Sequence, residues 1–219
     1  MTAIIGGTGS GKSTLLNLIP RMYDVTGGRV LIDGVDIRQM NLHRLRALIG
    51  YVPQQGVLFS GSIASNIKYG DETMSDADME RAAAIAQAQG FIGEKEGGYL
   101  SEVSRGGSNV SGGQRQRLSI ARAIAGKPKV LLFDDSFSAL DYRTDLMLRQ
   151  ALRREMGDTT VLIVAQRIAT VMKADKIIVL EQGRIVGEGR HEELLRTCDS
   201  YREIAQSQLS AEELKGGVA

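Results

Sequence analysis

The stretch Gly6-Gly7-Thr8-Gly9-Ser10-Gly11-Lys12-Ser13 decides the fold. It matches the pattern G-x4-G-K-[ST], and its flanks give the pattern a physical meaning. Thr2–Ile5 is a short apolar run that reads as a buried strand. Lys12–Ile19 reads as a helix with Leu15, Leu16 and Ile19 on one face. Glycines let the backbone curl so that several N–H groups point inward at phosphate oxygens, and the helix N-terminus adds its partial positive charge. Gly7, Thr8, Gly9, Ser10 and Gly11 form the expected cradle. Lys12 supplies a point charge for β- and γ-phosphates, the Ser13 hydroxyl can ligate Mg²⁺, and Thr14 helps hold the α-phosphate.

Outward from the loop, the chain alternates apolar runs with helical patterns. Gly27–Arg38 shows two β-rich runs around Asp33-Gly34, a hairpin signal. Leu48–Val52, Val130–Phe133, Thr160–Ala165 and Lys176–Leu180 read as strands. Helical patterns fall over Ser75–Gln89 and Arg143–Met156, and the segment from Ser62 to Gly126 is mostly helical. This alternation predicts an α/β fold, a parallel sheet with helices on both faces. Val130–Phe133 ends in Asp134, a carboxylate delivered to the C-terminal edge of the sheet. Beside a phosphate loop, such a residue holds Mg²⁺ through water.

Bulk composition narrows the classes. The 219 residues carry 27 basic and 26 acidic side chains, a formal charge of +1, which argues against a nucleic-acid groove. Cys198 is the only cysteine, so neither an intramolecular disulfide nor a cysteine metal site can form. No run approaches the ~18 consecutive apolar residues that read as a membrane span. The tail at 210–219 is mostly polar and is expected to be frayed.

Ser111-Gly112-Gly113-Gln114, followed by Arg115–Ala125, resembles the signature motif of ATP-binding cassette (ABC) proteins. Other matches come in that family's order. Gln54, after Tyr51-Val52-Pro53, is similar to the glutamine that senses Mg²⁺ and contacts the membrane domain. Ser138-Ala139-Leu140-Asp141 resembles the segment that crosses between two cassettes. Leu58–Ile67 and Gly187–Leu194 resemble the exporter branch. The resemblance runs from about residue 2 to about 206. It implies a RecA-like core of the phosphate-loop NTPase type over residues 1–61 and 127–209, an ABC helical subdomain over 62–126, and a truncated antiparallel β-subdomain. It also implies ATP and Mg²⁺ as cofactors, with metal contacts from Ser13, Gln54 and Asp134. The signature residues and Asp141 would face nucleotide held by a second cassette. The implied partners are that cassette and the transmembrane domains of an exporter, at the cytoplasmic face of a membrane, with no nucleic acid.

Three departures from the family pattern carry information. The glutamate that polarises the attacking water is replaced by Asp135, whose carboxylate falls about 1.5 Å short. The switch histidine is replaced by Gln166, which donates a hydrogen bond but carries no charge. The segment before the signature reads Ser101–Gly107, with Arg105 where a glutamate is usual. With phosphate loop and signature intact, this combination resembles the degenerate-site subunit of a heterodimeric bacterial exporter. Tolerated variation in an active cassette, a soluble ABC ATPase outside transport, and a non-hydrolysing regulatory module remain the alternatives. Because little chain precedes Gly6, the expectation is an N-terminally truncated domain whose adenine-stacking aromatic residue has no counterpart.

Overall fold

The computed structural model describes residues 1–210; the tail expected at 210–219 lies, beyond Ser210, outside the described residues. Strand β1 (Thr2–Ile5) runs into the glycine loop and α1 (Lys12–Leu18) leaves it. A hairpin follows, β2 (Leu31–Ile32) and β3 (Val35–Asp36). Its turn residues Asp33 and Gly34 have φ of 49° and 80°, the left-handed pair that a two-residue hairpin loop requires. Next come α2 (Leu42–Ala47), β4 (Ile49–Val52), β5 (Gly61–Ser62), α3 (Ile63–Ile67), α4 (Asp76–Ile85) and α5 (Gln89–Gly93). They are followed by β6 (Glu102–Val103), α6 (Gly112–Ala125), β7 (Val130–Asp134) and α7 (Tyr142–Glu155). The described chain closes with β8 (Thr160–Ala165), α8 (Ile168–Val171), β9 (Lys176–Glu181), β10 (Arg184–Gly189), α9 (His191–Thr197) and α10 (Asp199–Gln208).

These elements form two compact units. In the unit made of residues 1–42 and 161–210, the strands lie in the order β10-β9-β1-β8. The β1 strand is parallel to both of its neighbours, and β10 returns antiparallel to β9. Strands inside a parallel sheet are covered on both faces and read apolar along their length, and Ala3, Ile4 and Ile5 are all buried. Behind the sheet, α9 and α10 bury Leu194, Tyr201 and Ala205. The second unit, His43–Thr160, pairs β4 with β7 in parallel, and all five residues of β7 are buried. Its apolar core gathers Leu118, Ile120 and Ala121 of α6 with Leu148 and Leu152 of α7, and Phe133 packs on Phe137 at a 4.9 Å ring separation.

The α/β class and the strand positions match the sequence reading, with four differences. The sheet is mixed rather than wholly parallel, because β10 turns back through Gln182 and Gly183, both at positive φ. The antiparallel pair β5–β6 had no sequence signal, since two residues per strand are too few to show a period. Leu15 is 38% exposed while Leu16 is fully buried, so α1 packs through a narrower face than expected. Helix α4 ends at Ile85 rather than reaching Gln89. Gln87 adopts φ 56°, and the N–H groups of Gln87 and Ala88 fold back onto the carbonyls of Ala84 and Ala83. That is a Schellman stop with glutamine where glycine is usual.

Candidate nucleotide site

In the first unit, register sets the edge from which the functional loops leave. Ile5 is paired with Ala165, so Gly6 and Gln166 are the next residues along adjacent parallel strands. At Gly6 a Cβ would lie 2.0 Å from the Leu180 carbonyl oxygen, which no side chain can satisfy. Gly9 and Gly11 sit at φ 78° and 95°, turning successive N–H groups toward one side of the loop. Lys12 is only 7% exposed, and its ammonium donates to the carbonyls of Gly6 (2.9 Å) and Gly7 (2.7 Å) and to Ser10 Oγ (3.3 Å). From the outside, Gly183 N–H donates to the Ser10 carbonyl at 3.1 Å and braces the loop. No atom stands within 4 Å of a Cβ built at Gly7 or Gly9, and Ser13 and Thr14 are exposed. An anchored cation, open space at the glycines and two accessible hydroxyls fit a magnesium-bound polyphosphate.

The second unit sets its residues by the same device. Val52 pairs with Phe133, so Gln54 and the Asp134-Asp135 pair leave one edge of the β4–β7 ladder. Ser136 Oγ donates to the Val52 carbonyl at 2.8 Å and holds the two strand ends together. Asp134 is 8% exposed and accepts from the Tyr51 hydroxyl at 3.3 Å. Burial, and then the neighbouring Asp134 carboxylate, push the Tyr51 phenol up to about 12, so it remains a donor through the neutral range. Asp135, equally buried, adopts φ 47°, a conformation aspartate tolerates better than most residues. Gln54 Nε2 donates to Asp135 Oδ2 at 3.2 Å, and Ser138 Oγ donates to the Asp135 carbonyl at 2.7 Å.

The signature residues open α6. Ser111 Oγ accepts from Gln114 N–H at 3.2 Å, while Gln114 Oε1 accepts from Ser111 N–H at 3.1 Å, a reciprocal capping box. Ser111 and Gly112 are exposed, and nothing stands within 4 Å of a Cβ built at Gly112. Gly113 follows in the first turn of the helix. Asp141 caps α7, accepting from Thr144 N–H (2.9 Å) and Oγ1 (2.7 Å), and these bonds hold its carboxyl below the usual carboxylate range.

Two residues here escaped the sequence reading. One is Tyr51, quoted only as a neighbour of Gln54. The other is Gln116, 1% exposed, whose amide spans the loop carrying Gln54. Its Nε2 donates to the Pro53 carbonyl at 3.2 Å, and its Oε1 accepts from Gly56 N–H at 2.9 Å. An uncharged side chain inside a helix announces neither contact.

Together these features define a nucleotide-binding α/β domain of the phosphate-loop type. The family model described as ABC transporter matches residues 1–138. The chain belongs to the ABC transporter family, with Mg²⁺·ATP as the cofactor. It is 49% identical, over 99% of its length, to an uncharacterized ABC transporter ATP-binding protein of Mycobacterium tuberculosis, of which it covers 37%. It is 42% identical, over 98% of its length, to an ATP-dependent lipid A-core flippase of Syntrophus aciditrophicus, of which it covers 36%. Among solved structures it resembles a bacterial Atm1-family ABC exporter with ATP bound, with a TM-score of 0.92 and 41% identity. That match covers 95% of this chain and 37% of the exporter chain. The chain thus spans little more than a third of the length of these relatives.

Proposed function

We propose that this chain is the nucleotide-binding domain of a heterodimeric ABC exporter. In this reading it binds Mg²⁺·ATP on its own phosphate loop and hydrolyses it slowly or not at all. Gly7–Thr14 hold the phosphates, and Ser13, Gln54 and Asp134 hold the metal, which neutralises phosphate charge when bound. Asp135 and Gln166 stand at the positions of water activation and γ-phosphate sensing. Ser111–Gln114 and Asp141 serve nucleotide bound to a second cassette. A helical subdomain over 62–126 and a core over 1–61 and 127–209 complete the assignment.

The observation that carries this reading is the contrast between complete and reduced equipment. The loop around Lys12 and the cap around Ser111 are fully formed. The side chain after Asp134, by contrast, is a short carboxylate already engaged by Gln54 at 3.2 Å. Misplacement of a reacting group by about 1 Å costs roughly a hundredfold in rate.

A docking site for transmembrane domains is supported by a cavity of about 540 Å³ in the second unit, whose walls include Tyr51, Tyr69, Asp71 and Arg122. Arg122 is fixed there by bonds to the carbonyls of Asn66 (2.8 Å) and Val57 (2.9 Å). Among the described residues, no helix is long and apolar enough to cross a membrane. The transmembrane domains would place this chain at the cytoplasmic face.

The test is steady-state ATPase of the complete transporter with Asp135→Asn in this chain. The expected rate stays within about twofold of wild type. A fall of about a hundredfold, the loss typical of an essential transition-state group, would make Asp135 a working base and sink the asymmetric reading.

A further inference from the structure

Gln208, at the C-terminal end of α10, grips the loop carrying Gln166 with both halves of its side-chain amide. Its Nε2 donates to the Gln166 carbonyl at 2.8 Å, and its Oε1 accepts from Ile168 N–H at 2.8 Å. The two bonds skip Arg167, as a neighbouring strand's peptide would when bonding residues i and i+2 of a ladder. One such bond would leave the loop free to pivot, whereas two fix both its position and its direction. The helix that supplies the amide is itself anchored. Tyr201 and Ala205 are fully buried, the Tyr201 hydroxyl meets His191 Nδ1 at 2.7 Å, and Ser200 Oγ donates to Glu181 Oε2 at 2.8 Å. Ser200, Glu203 and Ile204 of the same helix line a cavity of about 280 Å³ whose other wall includes Gly6–Ser10. One helix therefore borders the phosphate loop and holds the loop after β8.

We propose that Gln208 is a positioning residue for Gln166, and that α10 is thereby part of this domain's response to the γ-phosphate. The pairing stands on the geometry above; the γ-phosphate role of Gln166 rests on the proposed function. When Gln208 holds the Gln166 carbonyl, the backbone from which the Gln166 side chain projects is fixed. A nucleotide with a third phosphate then meets a donor already in place, and ADP does not. Loss of the grip is therefore expected to weaken ATP and leave ADP unchanged.

The experiment uses the assembled transporter with the partner's phosphate-loop lysine removed, so that only this chain's site binds. Gln208→Ala and Gln208→Glu are compared with wild type by amide hydrogen exchange at Ile168 and by the ratio of ATP to ADP affinity. Gln208 is exposed, so both variants leave the buried face of α10 intact. Gln208→Ala is expected to raise Ile168 exchange about tenfold, the worth of roughly one hydrogen bond, and to lower the ATP:ADP ratio by about three- to tenfold. Gln208→Glu keeps the acceptor for Ile168 N–H and loses the donor to Gln166, so protection stays while the ratio falls. Unchanged exchange in Gln208→Ala overturns the proposal. Equal weakening of ATP and ADP also overturns it, by reducing Gln208 to a structural contact. Raised exchange with an unchanged ratio retains the grip and overturns the γ-phosphate role given to Gln166.

Discussion

Gln54 donates from Nε2 to Asp135 Oδ2 across 3.2 Å, so the glutamine that follows β4 holds the carboxylate that follows β7. Asp135 accepts that bond from a left-handed backbone at φ 47°. Lengthening this side chain by one methylene carries its carboxyl about 1.5 Å further out. With the partner's catalytic glutamate neutralised, Asp135→Glu combined with Gln166→His is expected to raise the residual ATPase at least about tenfold, part of the hundredfold that misplacement costs. Glutamate tolerates the left-handed conformation less well, so stability should fall by about 1 kcal/mol. Turnover measured on the assembled transporter checks the gain; an unchanged rate would place the deficit elsewhere.

Gln116 predicts a stability effect inside the second unit. Its amide satisfies the Pro53 carbonyl and the Gly56 N–H from a position 1% exposed. Gln116→Leu leaves both groups without that partner, at a cost of roughly 2–4 kcal/mol. Urea denaturation should show the midpoint shifting without a change in slope. A loss below about 0.5 kcal/mol would mean that water replaces the amide.

Ser111 separates capping from catalysis. Ser111→Ala removes one arm of the capping box and should cost about 1 kcal/mol. That leaves the domain folded, because native domains hold about 5–15 kcal/mol in reserve. If Ser111 also serves nucleotide on the partner cassette, transporter ATPase should fall at least about tenfold. A drop no larger than the stability change allows would confine Ser111 to capping.

His191 gives a pH dependence with a definite sign. Burial against Tyr201 lowers its pKa below the ordinary histidine range, with the neighbouring Glu192 opposing. The unfolded chain therefore binds the proton more readily, and this contribution to stability is complete above about pH 6.5. It is lost as the pH falls through the lowered folded value. Wild type should lose more melting temperature than His191→Gln between pH 7.5 and 5.5, by on the order of 1–2 °C. An equal loss in both would show that the imidazole contributes nothing.

Much of this arrangement was legible from residues whose pattern is their own cause. Val130–Asp134 is apolar at every position before its carboxylate because β7 is buried on both faces. Asp33-Gly34 reads as a turn because few other pairs accept two positive φ angles. What escaped notice was set by distant partners. Gln116 and Gln208 look like surface amides until the loops they grip are folded beside them. Gln87 ends α4 at positive φ although nothing local asks for a glycine-like conformation. Helices α9 and α10 follow β10 unmarked in the sequence reading, although Tyr201 and Ala205 stand one turn apart on the buried face of α10, and they matter through Tyr201 and Gln208.

The pairing of β1 has a consequence for how the protein is made. Thr2 lies opposite Leu162 on one side and Lys176 on the other. During translation the first strand is expected to wait while about 160 further residues are added, roughly 8–30 s at ribosomal speeds of ~5–20 residues per second. His43–Thr160 is contiguous and can settle in that interval. The glycine loop, made well before the strands that flank β1, thus acquires its shape only after β8 and β9 have followed. A chain released before β8 and β9 carries the loop's sequence without the sheet that holds it open, so grip on a nucleotide becomes a certificate that synthesis has passed both strands.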